Sequence, residues 1–255
     1  MLIAGNWKMH LTLDAATALA AAVADAVAPL HAHEAGVAVA LCAPFPFLHA
    51  VAQAVAGSGV TVGAQDVSAH AEGAYTGETS AAMLVSVGCT YAIVGHSERR
   101  QYHGESDTLV ADKAAAALAN GLTPIVCVGE TLDERRAEQV EAVVGRQLDA
   151  AARRLGDDLA RAVIAYEPVW AIGTGETATP EQAQAVHAFL RYRLAEALGT
   201  GAADAVPLLY GGSMKPINAA ELLAQPDVDG GLVGGASLDA SSFAALIAAA
   251  VATSA

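Results

Sequence analysis

Three ionisable residues of different chemistry each stand at or just after the end of a short apolar run: Lys8, His96 and Glu167. A lysine supplies a point charge to an oxyanion, and a histidine and a carboxylate that converge on one pocket form an acid–base set. Each type also has an ordinary use, as a solvated lysine, a hydrogen-bonded histidine or an ion-paired carboxylate. Taken together, the three residues favour acid–base catalysis with a cation that stabilises developing negative charge.

Two glycine pairs, Gly211-Gly212 and Gly234-Gly235, follow the last two apolar runs, and each pair precedes a helical segment. Glycine lets backbone N–H groups approach a ligand closely, and a helix N-terminus carries a partial positive charge. One such pair could simply make a turn. Because two pairs follow adjacent runs, we expect a phosphate site between them.

The segment after Glu167 joins a rigid start to a flexible tip. Pro168 follows the carboxylate directly, and Gly173-Thr174-Gly175 comes a few residues later. Proline fixes the backbone at one end of the segment, whereas the glycines leave its tip free to move. This pattern is typical of a hinged lid over a site.

The elements that must position these residues are short apolar runs alternating with longer, alanine-rich segments. The runs mostly lack apolar–polar alternation, as expected of parallel strands buried on both faces. The predicted strands are Leu2–Asn6, Val37–Leu41, Val60–Ala64, Tyr91–Val94, Thr123–Val128, Val163–Tyr166, Leu208–Tyr210 and Gly230–Val233. The predicted helices are Asp14–Ala28, Phe47–Ala56, Ser80–Val87, Ser106–Asn120, Leu132–Leu155, Glu181–Leu198, Ala219–Leu223 and Ser241–Ala252.

One helix carries its start and stop signals in the sequence. Thr179 is placed to cap it, Pro180 takes the first helical position, and Gln182 stands three residues after the cap. Gly199 is placed to end it. This combination predicts a helix with defined ends.

Eight strands, each followed by a helix, predict a parallel sheet that closes into a (β/α)8 TIM barrel. No linker interrupts the alternation, so residues 1–255 are expected to form a single domain. The alternative is an open, doubly wound sheet, but no GxGxxG motif follows the first strand. A closed barrel places Lys8, His96 and Glu167 at the same, carboxyl-terminal end of its strands.

The charge balance limits the kinds of partner that the protein is expected to bind. The chain has 13 basic and 27 acidic residues, a formal net charge of −14. Such an acidic protein is not expected to bind nucleic acid or an anionic membrane surface as its main partner. At first sight the same charge argues against an anionic substrate, which conflicts with the phosphate site that the glycine pairs predict.

Nothing in the sequence predicts a membrane span or a secretory leader. The uncharged stretch Ala35–Gln53 contains Pro44 and Pro46, so it cannot form one apolar helix. The apolar run Ala15–Ala24 lacks a basic segment before it. Three widely spaced cysteines indicate no disulfide framework. We therefore expect a soluble, cytoplasmic protein.

Metal-binding motifs such as HExxH and CxxC are missing from the sequence. His31, His33 and Glu34 could suggest a metal site. However, they follow the first predicted helix, at the end of the fold away from the reactive residues. A cation at a helix C-terminus explains the two histidines better. We expect neither a metal nor a cofactor.

Five segments, taken together and in order, resemble the triosephosphate isomerase family. They are Gly5-Asn6-Trp7-Lys8-Met9, Gly95-His96-Ser97-Glu98-Arg99-Arg100, the run AYEPVWAIGTG from Ala165 to Gly175, Tyr210-Gly211-Gly212-Ser213, and Val233-Gly234-Gly235-Ala236-Ser237-Leu238. Two further segments, Ala64-Gln65-Asp66 and Tyr75-Thr76-Gly77-Glu78, resemble the family's long third loop. The resemblance runs from Met1 to the last predicted helix.

The resemblance implies a reaction and its catalytic residues. The family interconverts dihydroxyacetone phosphate and D-glyceraldehyde 3-phosphate, in glycolysis and gluconeogenesis, by proton transfer through an enediolate. It implies that Glu167 is the base and that His96 is a neutral electrophile; both pKa tuning and lid closure are known features of this family. Lys8 is implied as the cation that stabilises the enediolate, with Asn6 beside it.

Further site residues are implied only by the resemblance. Backbone N–H groups are expected to hold the substrate phosphate at Gly173, Ser213, Gly234 and Gly235, next to Asn6 and Lys8. The residues expected to support the lysine and the base are Ser97, Glu98 and Cys127. The implied lid is Val169–Ala178, with Val169, Trp170, Ala171, Ile172, Gly173, Thr174 and Gly175 as its main part.

The resemblance also implies a homodimer. Its third loop, about residues 66–79 here, inserts into a second subunit, with Thr76 near Asn6, Lys8 and His96 of the partner subunit. Gln65 stands at the base of that loop.

Two other functions remain open on the sequence alone. The same barrel could house a Schiff-base aldolase or lyase that uses Lys8 as its nucleophile. It could also be a catalytically silent barrel that serves as a binding protein. The complete set of Asn6, Lys8, His96 and Glu167 argues against the silent barrel as a primary role.

Overall fold

The computed structural model describes residues 1–172 and 176–254. Eight parallel strands follow one another around a closed barrel, and β1 pairs with β8 to complete it. The strands are β1 (Leu2–Asn6), β2 (Ala38–Ala43), β3 (Val60–Ala64), β4 (Cys89–Val94), β5 (Thr123–Val128), β6 (Val163–Tyr166), β7 (Leu208–Tyr210) and β8 (Gly230–Val233). The predicted (β/α)8 TIM barrel is confirmed, and the open sheet is excluded.

Helices cover the outside of the barrel. They are α1 (Leu13–Val27), α2 (Leu48–Ala54), α3 (Ala81–Ser86), α4 (Ser97–His103), α5 (Asp107–Ala119), α6 (Leu132–Arg136), α7 (Val140–Leu155), α8 (Pro180–Leu198), α9 (Thr200–Ala205), α10 (Ala219–Leu223) and α11 (Ala240–Ser254). Short 3-10 helices lie at Ala28–Leu30, Phe45–Phe47, Gly156–Arg161, Val169–Ala171 and Gly235–Leu238.

The predicted helix with defined ends is confirmed as α8. Thr179 accepts the N–H of Gln182, and the Gln182 side chain accepts the N–H of Thr179, so the two satisfy donors that the helix leaves free. Pro180 is the first helical residue, and Gly199 follows the last with φ of 82°.

Three differences from the predicted elements have local causes. The predicted helix Leu132–Leu155 is two helices, because Glu138 takes a left-handed backbone with φ of 58° and ends the first one. Helix α4 is absent from the predicted helices, since its sequence, SERRQYH, has no apolar stripe. Helix α9 was also not predicted; its sequence, TGAADA, offers only alanine as an apolar residue.

Alternation along each strand separates the barrel interior from the face that packs on the helices. One set of alternating positions forms a small interior cluster, which includes Leu2, Ala4 and Ala165. The other set joins the larger cluster under the helices. Continuing the two-residue period places Asn6 and Glu167 at the top of the interior, where the strands end.

The segment Leu13–Leu30 is long and apolar enough to cross a membrane, by length and composition alone. It comprises α1 and the following 3-10 helix, and it lies on the outside of the barrel. Its small buried side chains, among them Ala16, Ala20 and Val23, pack into the core under the helices. In this fold the segment is therefore a covering helix of the barrel.

Candidate active site

A cavity of about 340 Å³ opens at the carboxyl-terminal end of the barrel. Among the residues that line it are Asn6, Lys8, His96, Ala171, Ile172, Gly211, Gly212, Ser213, Met214, Lys215, Gly234 and Gly235. Most of the described residues that line this cavity were therefore singled out by the sequence analysis. Two of the lining residues are lysines, and none of them, in the described chain, is an aspartate or a glutamate.

Lys8 is held in place through its own backbone. It adopts a left-handed conformation with φ of 51°, which is uncommon for a residue with a side chain. Its N–H donates to Asn6 Oδ1 at 3.0 Å, and its carbonyl accepts from Gln65 Nε2 at 2.9 Å. The ammonium group donates to Glu98 Oε1 at 2.6 Å. Asn6 and Gln65 thus fix the backbone, and Glu98 orients the charge.

His96 caps helix α4 and is buried. The N–H of Glu98 donates to its Nδ1 at 3.2 Å, so Nδ1 presents a lone pair. Its Nε2 lies 2.9 Å from Glu167 Oε1. This arrangement fits the neutral imidazole with its proton on Nε2, and it leaves that N–H as the group that could donate to a ligand.

Glu167 is almost completely buried, at 2 % exposure. One carboxylate oxygen accepts the backbone N–H of Ser97 at 2.9 Å, and the other accepts the Ser97 hydroxyl at 3.1 Å. Burial raises the pKa of Glu167, but His96 and the Ser97 donors outweigh it, so the pKa lies below its usual value. The carboxylate is held ionised, without bulk water around it.

The same contact acts on His96 in the opposite direction. Burial lowers the pKa of His96, but the neighbouring Glu167 carboxylate offsets this and leaves the pKa above its usual value. Two weaker charge effects oppose each other, since Lys8 lowers the pKa and the Glu98 carboxylate raises it, while the Glu98 N–H on Nδ1 disfavours a second ring proton. The raised pKa therefore depends on Glu167 remaining next to the ring.

Glu167 lines a second cavity, of about 630 Å³, and not the first one. That cavity also contacts Ser97, Gly129 and Trp170. The structure thus brings Glu167 to His96, as expected, but turns its carboxylate towards Ser97 and away from the cavity that Lys8 and the glycine pairs line.

Cys127 lies under the carboxylate and is completely buried. Burial, with Glu167 as the next cause, raises the pKa of its thiol well above the usual value. The thiol therefore stays protonated beside the ionised carboxylate. Arg100 was not singled out by the sequence analysis beyond its motif. It donates to the carbonyls of Gly95 and Cys127 at 2.8 and 3.1 Å, and so joins the ends of β4 and β5.

The start of the predicted lid is anchored to a buried carboxylate that the sequence analysis missed. Glu130 Oε1 accepts from Trp170 Nε1 at 2.8 Å, from the Tyr166 hydroxyl at 3.0 Å, and from Arg135 at 3.0 Å. The Arg135 guanidinium also lies 4.6 Å from the centre of the Trp170 ring. No spacing rule links Glu130 with Tyr166 and Trp170, which stand 36 and 40 residues further along the chain.

The first part of the predicted lid is described as far as Ile172. Val169–Ala171 form a 3-10 helix, and Ala171 and Ile172 reach the cavity wall. Gly173, Thr174 and Gly175, predicted as the lid tip and, for Gly173, as a phosphate ligand, lie outside the described residues.

The third loop is fixed at its base and exposed at its tip. Asp66 accepts from Lys113 at 2.7 Å and pairs with Arg99 at 2.8 Å. Near the tip, the rings of His70 and Tyr75 stack with their centres 3.8 Å apart. Thr76 is exposed and does not line the cavity of its own chain.

In residues 1–172 and 176–254, no group of three or more histidine, cysteine, aspartate or glutamate residues is arranged to hold a metal ion. His31 and Glu34 lie 3.3 Å apart on the surface.

Comparison with known proteins identifies the family of this chain without reference to the geometry of the site. Residues 1–250 match the family model described as Triosephosphate isomerase. The triosephosphate isomerase of Thiobacillus denitrificans is 58 % identical over 250 residues, which cover 98 % of each chain. That of Paracidovorax citrulli is 59 % identical over 253 residues, again 98 % of each chain. That of Ralstonia nicotianae is 56 % identical over 246 residues, 96 % of each chain.

Proposed function

This chain belongs to the triosephosphate isomerase family, and from that premise we propose how its barrel mouth works. Its reaction interconverts dihydroxyacetone phosphate and D-glyceraldehyde 3-phosphate, an aldose–ketose isomerisation of glycolysis and gluconeogenesis. The observation that carries the proposal is the cavity itself. Asn6, Lys8 and His96 form one wall and the glycine pairs form the other, and no carboxylate lines it in the described chain.

The phosphate binds against the glycine walls in this proposal. Backbone N–H groups of Ser213, Gly234 and Gly235 supply donors without side chains that would fill the space. A Cβ atom at Gly235 would meet nothing within 4 Å, so this glycine faces open space in which a ligand can lie. The triose then extends from the phosphate towards Lys8 and His96.

Glu167 is the proposed base. Its carboxylate must turn from Ser97 into the cavity to reach the substrate carbons, because Ser97 occupies both of its oxygens. There it removes a proton from one carbon and returns it to the adjacent carbon. Burial keeps water from competing for the proton and strengthens each charge interaction.

His96 and Lys8 stabilise the charge that develops on the substrate oxygens. The Nε2–H of His96 donates to the carbonyl oxygen once Glu167 has turned away, and the imidazole moves hydroxyl protons between the two oxygens. Lys8 exchanges Glu98 for the enediolate as the partner of its ammonium group. Asn6 keeps the Lys8 backbone in the strained conformation that points the side chain at the cavity.

The lid closes over the bound triose in this scheme. Ala171 and Ile172 already touch the cavity wall. Closure of Val169–Gly175 excludes water and holds the enediolate phosphate away from the elimination that would release methylglyoxal.

A coupled assay with each triose phosphate tests the function, together with deuterium uptake from D2O at the substrate carbons. We expect turnover in both directions and partial uptake of solvent deuterium, because a proton held on the Glu167 carboxyl group can exchange with solvent while the site is open. No turnover with either triose would overturn the proposal. Borohydride trapping separates the aldolase alternative, since only a Schiff base would label Lys8.

We also propose that residues 1–255 form a single-domain, cytoplasmic protein that assembles as a homodimer. Large apolar side chains are exposed around the third loop: Met9 at 95 %, Tyr75 at 44 %, Met83 at 55 % and Tyr102 at 72 %. Such a group of side chains marks an interaction surface. Light scattering should give twice the mass of 25.6 kDa, and Thr76→Arg should shift it to one chain.

A further inference from the structure

Almost every basic side chain in this acidic protein has an acidic partner. The sequence contains 13 lysines and arginines. In residues 1–172 and 176–254, all of them except Lys215 and Arg153 lie within 4.0 Å of a carboxylate. The two exceptions are both exposed. They are therefore the two cations whose charge is not offset at close range by a carboxylate of the described chain.

The two exceptions lie at opposite ends of the barrel. Lys215 lines the cavity between the strand ends, with Ser213 and Gly234. Arg153 is in the last turn of α7, which leads back to the amino-terminal end of β6. Position alone therefore distinguishes two exposed and otherwise similar charges.

The backbone around Lys215 is braced. Its N–H donates to Asn218 Oδ1 at 2.7 Å, and Asn218 Nδ2 donates to the Ser213 carbonyl at 3.1 Å. The next-door Met214 is buried at 3 % exposure. These contacts hold the base of the Lys215 side chain at the rim, while its ammonium group remains in solvent.

Lys8, the other lysine of the cavity, cannot attract an anion from a distance as strongly. Its ammonium group is 2.6 Å from Glu98 Oε1, so from far away the pair is close to neutral. Among the described side chains that line the cavity, Lys215 is then the lysine whose charge no carboxylate offsets, so in a chain of formal charge −14 it is the one that can attract an approaching dianion from a distance.

We propose that Lys215 guides the phosphate of the substrate into the cavity and selects for a dianionic group at that end of the ligand. The proposal rests on the function proposed above. Lys215 is a positioning residue for the known reaction: it raises the rate of productive encounter and passes the phosphate to the backbone donors of Ser213, Gly234 and Gly235. It takes no part in proton transfer.

The test compares Lys215→Gln with Arg153→Gln, because each removes one exposed positive charge without a carboxylate partner. At about 10 mM ionic strength, where the Debye length is about 30 Å, Lys215→Gln should lower kcat/KM by roughly 3- to 10-fold. The loss should shrink towards nothing near 1 M salt, where the Debye length is about 3 Å. The kcat value should stay within about twofold, and Lys215→Arg should restore the rate.

Arg153→Gln should leave kcat/KM and its salt dependence unchanged. A Lys215→Gln enzyme with the salt dependence of the unmodified chain would overturn the inference, and so would equal losses in both glutamine variants. A salt-independent loss would also overturn it, because that would indicate a structural defect.

Binding of inorganic phosphate, followed by 31P NMR, checks the same charge without catalysis. Lys215→Gln should weaken phosphate binding by a similar factor at low salt, and Arg153→Gln should not. This measurement separates the two proposals: a chain with no isomerase activity would refute the proposed function, whereas equal phosphate affinity in all variants would refute the role of Lys215.

Discussion

The two sides of the barrel mouth are built by opposite means. On the proposed proton-transfer side, formed by Asn6, Lys8, His96 and Glu167, charged groups are paired with carboxylates, as in the 2.6 Å contact of Lys8 with Glu98. The proposed phosphate side is formed by Gly212, Ser213, Gly234 and Gly235, whose side chains carry no charge, and the charged Lys215 stands at its rim. There the ligand meets a shape made by backbone.

This difference predicts which kinetic constant a substitution on each side should change. Paired charges can exchange partners when substrate arrives, so a substitution among them should act on the chemical step. A backbone wall has nothing to exchange, so a substitution there should act through geometry and change binding. We therefore expect kcat to depend on the first side and KM on the second.

The largest effect should come from removing the proposed base, Glu167. Glu167→Gln keeps the size of the side chain and removes the carboxylate, so kcat should fall by roughly 10³- to 10⁴-fold with KM within a few-fold. Glu167→Asp keeps the carboxylate but withdraws it by one methylene, and should cost about 10²-fold in kcat. Steady-state kinetics in both directions measure these losses.

Phosphate binding by 31P NMR provides the control for these variants, because it reports the other side of the mouth. It should be unchanged in both. A near-normal kcat for Glu167→Asp would contradict the assignment of the base, and a raised KM with normal kcat would erase the distinction between the two sides.

The second effect is on the free energy of unfolding and concerns His187, which packs against the strand that leads to Glu167. His187 is completely buried, its ring meets the edge of Tyr166 with centres 5.9 Å apart, and its Nδ1 lies 2.9 Å from the Asp227 carbonyl. Burial lowers the pKa of His187 from 6.5 to about 4. The unfolded chain therefore takes up a proton near pH 6.5 that the folded chain refuses until about pH 4.

The direction of the pH effect on stability follows from this pKa difference. Stability is unaffected by this group above pH 6.5, and it falls as the pH drops from 6.5 to 4, by about 3 kcal/mol in total. Urea unfolding at fixed protein concentration should show this slope. His187→Phe should unfold more easily at pH 7 but lose less stability towards acid, whereas His33→Gln, at an exposed position, should keep the slope. An unchanged slope in His187→Phe would contradict this account.

The third effect tests the phosphate side through its packing. A Cβ at Gly231 would lie 2.8 Å from the sulfur of Met214, a buried residue of the same loop as Ser213. Gly231→Ala should displace the loop at a cost of about 1 kcal/mol, and so raise KM on the order of 5-fold with kcat unchanged. The double variant with Met214→Ala should recover KM, because it makes room for the new methyl group. A fall in kcat, or no recovery, would break the comparison.

Much of the fold was readable from the sequence because buried parallel strands are continuous apolar runs, and six of the eight predicted strands have the observed bounds. The missed helix α4 is held by its position after β4 and by the caps at His96 and Gly104, with no apolar stripe to reveal it. Tertiary position, which spacing cannot encode, decides such elements.

The sequence predicted the residues of the candidate site better than it predicted the contacts between them. The motifs pointed to Lys8, His96 and Glu167, but no sequence pattern predicted that the Glu167 carboxylate turns towards Ser97. Glu130 was missed for the same reason, since its partners come from separate segments of the chain. Long-range hydrogen bonds depend on side-chain rotamers that only the assembled barrel fixes.

The smallest effect is a change of pKa with no rate attached to it. In the present arrangement the Glu167 carboxylate, 2.9 Å from Nε2, outweighs burial and Lys8 and keeps the pKa of His96 above its usual value. Glu167→Gln removes that charge. Burial, the largest cause, then lowers the pKa together with Lys8 and the Glu98 N–H on Nδ1, against the smaller opposing effect of the Glu98 carboxylate. The pKa of His96 should therefore fall in the variant, as 15N NMR of the ring nitrogens would measure. The same fall would occur in the unmodified chain whenever Glu167 turns to substrate, so the base itself would make its partner a neutral electrophile. A His96 pKa that is unchanged in Glu167→Gln would show that the two groups titrate independently, and the mutual pairing that distinguishes this side of the mouth would then be structural only.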